Sequence, residues 1–217
     1  MPRRALIERR PWLVASLACA LAWLWLQDSA VPGLYLIALQ ALPLLLLGVY
    51  AALRHKGNDT RSLAAMLALQ GIGGALIETA PLIGLNLLLL AYLIGLGLFM
   101  AHRRAVVDSS RRASALALVL GTPLLCFFAA DRAGVSVPVF LGLALGGMTA
   151  GAWISTFPRG RVGLGAAVIV AGVVLEIATL GAAPSVVASI AWPLLYLGNF
   201  VLATGITGEL RMRQDFE

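Results

Sequence analysis

The chain has 217 residues, 60% of them hydrophobic and only 12% charged, with a mean hydropathy of +0.93. Soluble domains carry roughly 25% charged residues, so this composition is that of an integral membrane protein. Sixteen Lys and Arg against ten Asp and Glu give a net charge of +6, but the basic residues sit between apolar runs, which points to membrane topology rather than to a nucleic-acid partner.

Windows of about 20 apolar residues read as membrane spans and predict eight of them, at approximately 12–27, 33–53, 62–79, 83–101, 113–130, 136–156, 162–180 and 184–207. The fold class expected is an all-α polytopic helical bundle forming a single transmembrane domain over 1–217. The first span resembles the apolar region of a signal peptide. Its length and the pair Trp23 and Trp25 near its outer end favour a retained helix with an aromatic anchor. Trp12, Tyr50, Trp153 and Trp192 are further candidate interfacial anchors.

The links between spans alternate in charge. Arg3, Arg4, Arg9 and Arg10, then Arg54, Lys56 and Arg61, then Arg103, Arg104, Arg111 and Arg112, then Arg159 and Arg161, then Arg211 and Arg213 fall on one side, and only Arg132 falls on the other. Fifteen against one predicts that both termini are cytoplasmic. A multi-pass protein of a bacterial inner membrane is the expected localisation. His55 and His102 adjoin these basic links and read as solvated side chains.

No link exceeds about a dozen residues, so there is no room for a soluble catalytic domain. Any chemistry must occur among the helices. The 23 glycines cluster in spans three, four, six and seven, where small residues let helix backbones approach closely. Cys19 and Cys126 lie in separate spans without metal-ligand spacing and read as packing residues, so neither a metal nor a cofactor is implied.

Glu78 and Glu176 are the only carboxylates inside long apolar runs. A charge at mid-membrane costs a few kcal/mol or more, so such a residue usually has a partner, a polar cavity or a task. Spans three and seven run in the same direction, with a glutamate near the outer end of each. Gln70, Gly74 and Glu78 recur every four residues and share one helix face, as do Gly172 and Glu176. Asn86 is expected near the depth of Glu78, with Tyr196 and Asn199 deeper on span eight. The expected site is therefore catalytic Glu176 and Glu78, with Tyr196, Asn199, Asn86 and Gln70 contacting a membrane lipid or other hydrophobic small molecule. Two carboxyl groups in a cavity of low dielectric can divide their roles, one holding a proton while the other acts as base. That pattern suits protonation of an electron-rich double bond, and equally proton-coupled transport.

Several further runs carry a resemblance. Gly73-Gly74 is followed by Ala91-Tyr92-Leu93-Ile94-Gly95-Leu96-Gly97-Leu98-Phe99, then by Met148 in an Ala-rich helix, Gly165-Ala166 opening span seven, and Tyr196-Leu197-Gly198-Asn199. This order resembles the YhhN family of membrane proteins, whose characterised members are lysoplasmalogenases. The family's acidic, His, Tyr and Ser-Asp positions correspond here to Gly74, Leu96, Phe99 and Gly172-Val173. Its catalytic residues therefore have no direct counterparts, but Glu78 and Glu176 stand about one helical turn further on.

The resemblance implies a membrane enzyme that hydrolyses the vinyl ether of a lysoplasmalogen; of the two carboxyl groups, Glu176, the deeper and more desolvated, is expected to be the acid and Glu78 to position water. A membrane-bound terpene cyclase using acid-initiated cyclisation is the alternative enzymatic reading. A non-catalytic relative that binds lipid or transports a solute is the other.

Overall fold

A computed structural model of the chain describes residues 10–27, 29, 32–54, 57–77, 79–180 and 186–214. Among the described residues the elements are helices: α1 (Arg10–Leu26), α2 (Gly33–Arg54), α3 (Asn58–Leu76), α4 (Pro81–Ala101), α5 (Ser109–Ala133), α6 (Val139–Ile154), α7 (Leu164–Thr179) and α8 (Val186–Gln214), with a π-helical turn over Arg159–Gly163 before α7. α2, α4, α5, the π turn continued into α7, and the Ser189–Met212 part of α8 are long and apolar enough to cross a membrane. α1 and α6 are apolar but shorter. The protein is thus a multi-pass, all-helical membrane protein by length and composition.

Each predicted span coincides with one helix, but the ends differ for a physical reason. A helix ends where its backbone hydrogen bonds are diverted, not where apolarity ends. α3 begins at Asn58 and α5 at Ser109, each about one turn before its apolar run. α8 continues to Gln214 through Glu209 and Arg211. α4 starts on Pro81, whose missing N–H costs nothing in a first turn. α5 stops at Gly134, which takes a left-handed conformation at φ 65° and donates back to Ala130 and Asp131. Val135 N–H also reaches Ala130 O, at 3.0 Å. This closes the last turn in a Schellman-type cap.

The chain forms two compact units, Met1–Ala91 and Tyr92–Glu217, with the boundary inside α4. In the first, Ser16 Oγ donates to Pro43 O at 2.7 Å and ties α1 to α2. α2 and α3 run antiparallel with glycines in the seam. A Cβ at Gly71 would stand 2.9 Å from Ala41 O, and one at Gly48 3.1 Å from Ala64 O. α3 meets the start of α4 where Gly73 and Gly84 face each other.

The second unit is organised by α6, of whose sixteen residues ten are buried. Its Gly142 and Gly146, one turn apart, receive the Pro123 and Leu118 backbone of the antiparallel α5. Its Gly147 and Gly151 receive Leu96 and Phe99 of α4, which runs parallel to it. α7 and α8 pack antiparallel with still closer backbones. A Cβ at Gly172 would lie 2.7 Å from Leu195 N, one at Gly165 2.8 Å from Leu202 N, and one at Gly198 2.7 Å from Ile169 N.

One end of this unit is closed by two linkers that hold each other. Thr156 N–H donates to His102 O at 2.8 Å, Arg104 N–H to Ile154 O at 3.3 Å, and Arg104 Nε to Ser155 O at 2.9 Å. Phe157 is buried against Phe99 and the His102 ring, at centroid distances of 6.2 and 5.0 Å. The expectation of a solvated His102 is therefore corrected. Its ring is half-buried, with Nδ1 3.1 Å from Leu98 O in the last turn of α4. His55 lies outside the described residues. Tyr50 and Trp192, candidate interfacial anchors, are buried within the protein.

Asp108 precedes α5 at the same end. It makes no side-chain cap bond of good geometry, yet the Ser110 hydroxyl above all, helped by the Ser109 and Ser110 N–H groups and Arg111, outweighs desolvation and draws its pKa below 3.8. A lowered folded pKa means that the stabilisation is present above the unfolded value and is lost as pH falls through the folded one. Ser110→Ala is expected to move the carboxyl back toward 3.8, measured by NMR titration of the Asp108 side chain. A second expectation concerns the α7–α8 seam. Gly172→Ala should destabilise by about 1–3 kcal/mol through overpacking, read by equilibrium unfolding in mixed micelles. Gly97→Ala, where a Cβ meets nothing within 4 Å, should be neutral or stabilising.

Candidate functional site

Polar side chains in these helices follow a simple rule: where no water is at hand, they bond within their own helix. Thr149 Oγ1 donates to Leu145 O and Thr207 Oγ1 to Ala203 O, both at 2.8 Å. Asn199 is fully buried, and its Nδ2 donates to Leu195 O at 3.0 Å. Asn86 is exposed near the start of α4, and its Nδ2 donates to Leu82 O at 2.7 Å. Both amides expected in the site thus spend a donor on the backbone one turn earlier.

Glu176 lies in the last turn of α7 and is half-buried. Thr179 follows it, donating through Oγ1 to Leu175 O at 2.9 Å and Glu176 O at 3.2 Å. The turn carrying the carboxylate therefore remains helical to its end. With Gly165 against Leu202 and Gly172 against Leu195, the antiparallel register brings Glu176 to the level of Ala191 and Trp192. Glu78 lies outside the described residues, and so does its expected pairing with Glu176. Gln70 is buried in α3, in the first unit.

Tyr92 of α4 was not among the expected site residues. It is fully buried, its Oη has no hydrogen-bond partner among the described residues, and it is within electrostatic reach of Glu176 and Cys126. Three helices of the second unit, α4, α5 and α7, thus contribute a phenol, a thiol and a carboxyl group to one neighbourhood. A buried hydroxyl left unpaired costs about 1–3 kcal/mol, and no described residue uses the polarity of Tyr92 Oη. The sequence carried a faint signal for it: a lone Tyr in the middle of a span whose other polar side chain is Asn86.

Tyr196, expected to contact a ligand, is buried on α8 and stacks on Trp192, with ring centroids 5.7 Å apart and planes within 5°. Phe200 continues the column at 6.1 Å. The three rings are spaced four residues apart and share one stripe of the helix. Among the described residues no group of three or more His, Cys, Asp or Glu could hold a metal ion.

Chemically, Glu176 and Tyr92 are two proton-bearing groups on different helices, and an aromatic column belongs to the same unit. Such a set can move a proton to or from an apolar ligand and present π faces to a developing positive charge.

No family model, curated protein or solved structure matches the chain. Its function must therefore be read from these side chains.

If Tyr92 Oη has no protein partner, Tyr92→Phe should leave the unfolding free energy unchanged or raise it by about 1 kcal/mol. Denaturant titration in mixed micelles checks this. A loss of stability of more than about 1 kcal/mol would instead mean that the hydroxyl is bonded through water.

Proposed function

We propose that this chain is a membrane-embedded enzyme that uses Glu176 as a general acid on a lipid, hydrolysing the vinyl ether of a lysoplasmalogen-like substrate. The observation that carries the reading is the half-buried Glu176 in electrostatic reach of the buried Tyr92 hydroxyl. The resemblance of spans three to eight to the YhhN family supports the substrate class.

In the proposed reaction the Glu176 carboxyl transfers its proton to the β-carbon of the vinyl ether, leaving an oxocarbenium ion and a carboxylate. Water adds to the oxocarbenium carbon and returns a proton to that carboxylate. The hemiacetal then breaks its bond to the glycerol oxygen, giving an aldehyde and a glycerophospholipid fragment with one water consumed. Tyr92 is a positioning residue that donates to the carboxylate or to the attacking water. Tyr196 and Asn199, carried on α8 of the same unit, are the candidate substrate contacts.

The topology proposed with it has eight spans and both termini in the cytoplasm of a bacterial inner membrane. Support comes from the fifteen-to-one division of basic residues across the predicted links. α6, at sixteen residues, is about 24 Å long against a hydrocarbon core of about 30 Å. Burial among neighbours is what lets so short a helix serve as a span.

The aromatic column favours one alternative, acid-initiated cyclisation of a polyprenyl lipid, in which Trp192, Tyr196 and Phe200 would stabilise a carbocation. The products separate the two: an aldehyde from the first, a cyclic hydrocarbon or alcohol from the second.

Purified protein in lipid nanodiscs is expected to release aldehyde from a lysoplasmalogen. Glu176→Gln should lower the rate by about 10²-fold or more, the usual contribution of a general acid, and Tyr92→Phe by a smaller factor. Aldehyde release by Glu176→Gln at the wild-type rate would overturn the assignment, and no release by the wild type would remove the substrate class. Reporter-enzyme fusions at successive links check the topology. They should alternate between the two sides, with those at Gly57, Val106 and Gly160 in the cytoplasm.

A further inference from the structure

The closed end of the second unit carries more positive charge than its own carboxylates offset. Arg103, Arg104, Arg111, Arg112, Arg159, Arg161 and Arg211 gather there from the ends of four helices, against Asp108 and Glu209 among the described residues. Asp108 is already engaged by the first turn of α5. Arg104 is used as well, since its Nε holds the Ser155 carbonyl.

Two of the remaining groups are in an unusual state. Trp153 Nε1 and Arg111 Nη1 are both buried donors with no hydrogen-bond partner among the described residues. They lie at one level. The α5–α6 register set by Gly142 against Pro123 and Gly146 against Leu118 brings the first turn of α5 beside the last turn of α6. The Trp153 ring is fixed in place, with Gly163 so close that a Cβ there would stand 2.9 Å from it, and with the Arg159 guanidinium 4.3 Å from its centroid. A fixed indole donor, a guanidinium with an unspent N–H and a second guanidinium held on the indole face make a set that accepts an oxyanion. Buried donors left unpaired are costly, and charged ones more so.

The neighbourhood also says where that oxyanion comes from. Val106, Leu116 and Leu164, each five residues along the chain from Arg111 or Arg159, are large, apolar and exposed. A free phosphate would leave this rim unmatched, whereas a lipid would lay its acyl chains along it. We propose that this end of the second unit binds the phosphodiester of an anionic membrane lipid through Arg111, Trp153 and Arg159. The site is separate from Glu176, which lies at the opposite end of α7, and it does not depend on the reaction proposed for that residue.

Native mass spectrometry of the detergent-solubilised full chain, titrated with phosphatidylglycerol or phosphatidylcholine, tests the proposal. Phosphatidylglycerol should be retained preferentially. Arg111→Gln and Arg159→Gln should each weaken retention about fivefold, the effect of one basic residue at an anionic lipid surface. Trp153→Phe should weaken it by a smaller factor, and Arg61→Gln, in the first unit, should behave as wild type. Arg159→Lys should recover part of the loss, which a merely unfolded variant would not do. Circular dichroism confirms that each variant is folded. Equal retention of the two lipids, displacement by equimolar inorganic phosphate, or wild-type retention by Arg111→Gln and Arg159→Gln would overturn the proposal.

Discussion

The second unit depends on direct backbone contact between α7 and α8. Gly165, Gly172 and Gly198 leave less than 3 Å between an added Cβ and the opposite backbone. Inside a bilayer, lipid tails are as apolar as leucine, so burying apolar side chains gives helices little reason to associate. Close packing of small residues supplies the dispersion contacts instead. The same device recurs at other helix seams of this protein. Gly142 and Gly146 seat α5, Gly147 and Gly151 seat α4, and Gly48, Gly71, Gly73 and Gly84 hold the first unit. The seams in turn fix what faces inward. On α8, Leu195, Gly198 and Leu202 meet α7, while Trp192, Tyr196 and Asn199 are carried on the adjoining buried stripe.

Polar groups inside such a structure have few options, and the protein uses nearly all of them. Thr, Ser and Asn side chains donate to carbonyls of their own helices, and the linkers at the closed end bond to each other's backbone. Against that background three exceptions in the second unit carry meaning. Tyr92 Oη, Trp153 Nε1 and Arg111 Nη1 are buried without a hydrogen-bond partner among the described residues. They fall at two separate places in the second unit. Tyr92 lies within electrostatic reach of Glu176, and the other two lie among the arginines. One place is suited to moving a proton and the other to holding an anion.

The neighbourhood of Glu176 was only partly legible in the residues. Glu176 itself stood out, because a carboxylate in an apolar run is costly enough to be conspicuous. Tyr92 did not, because a tyrosine in a membrane span is ordinary, and only its burial and its unused hydroxyl distinguish it. Asn86 and Asn199 were conspicuous for their polarity, but a short amide side chain can turn back on its own helix, and both do. His102 was misjudged because flanking arginines suggest solvent, while Phe157, which covers its ring, is 55 residues away in the chain.

By itself, the sequence determined the helical class, the eight apolar segments and the separation of basic links from apolar runs. These follow from the length of chain that a bilayer demands and from the cost of charge within it, which act on each segment independently. The tertiary structure alone decided which glycines meet which backbone, that the chain condenses into two units divided within α4, and which buried donors find no hydrogen-bond partner among the described residues. Those outcomes depend on the register between helices distant in sequence. A shift of a single turn, about 5.4 Å, would exchange one set of neighbours for another while leaving every apolar segment unchanged.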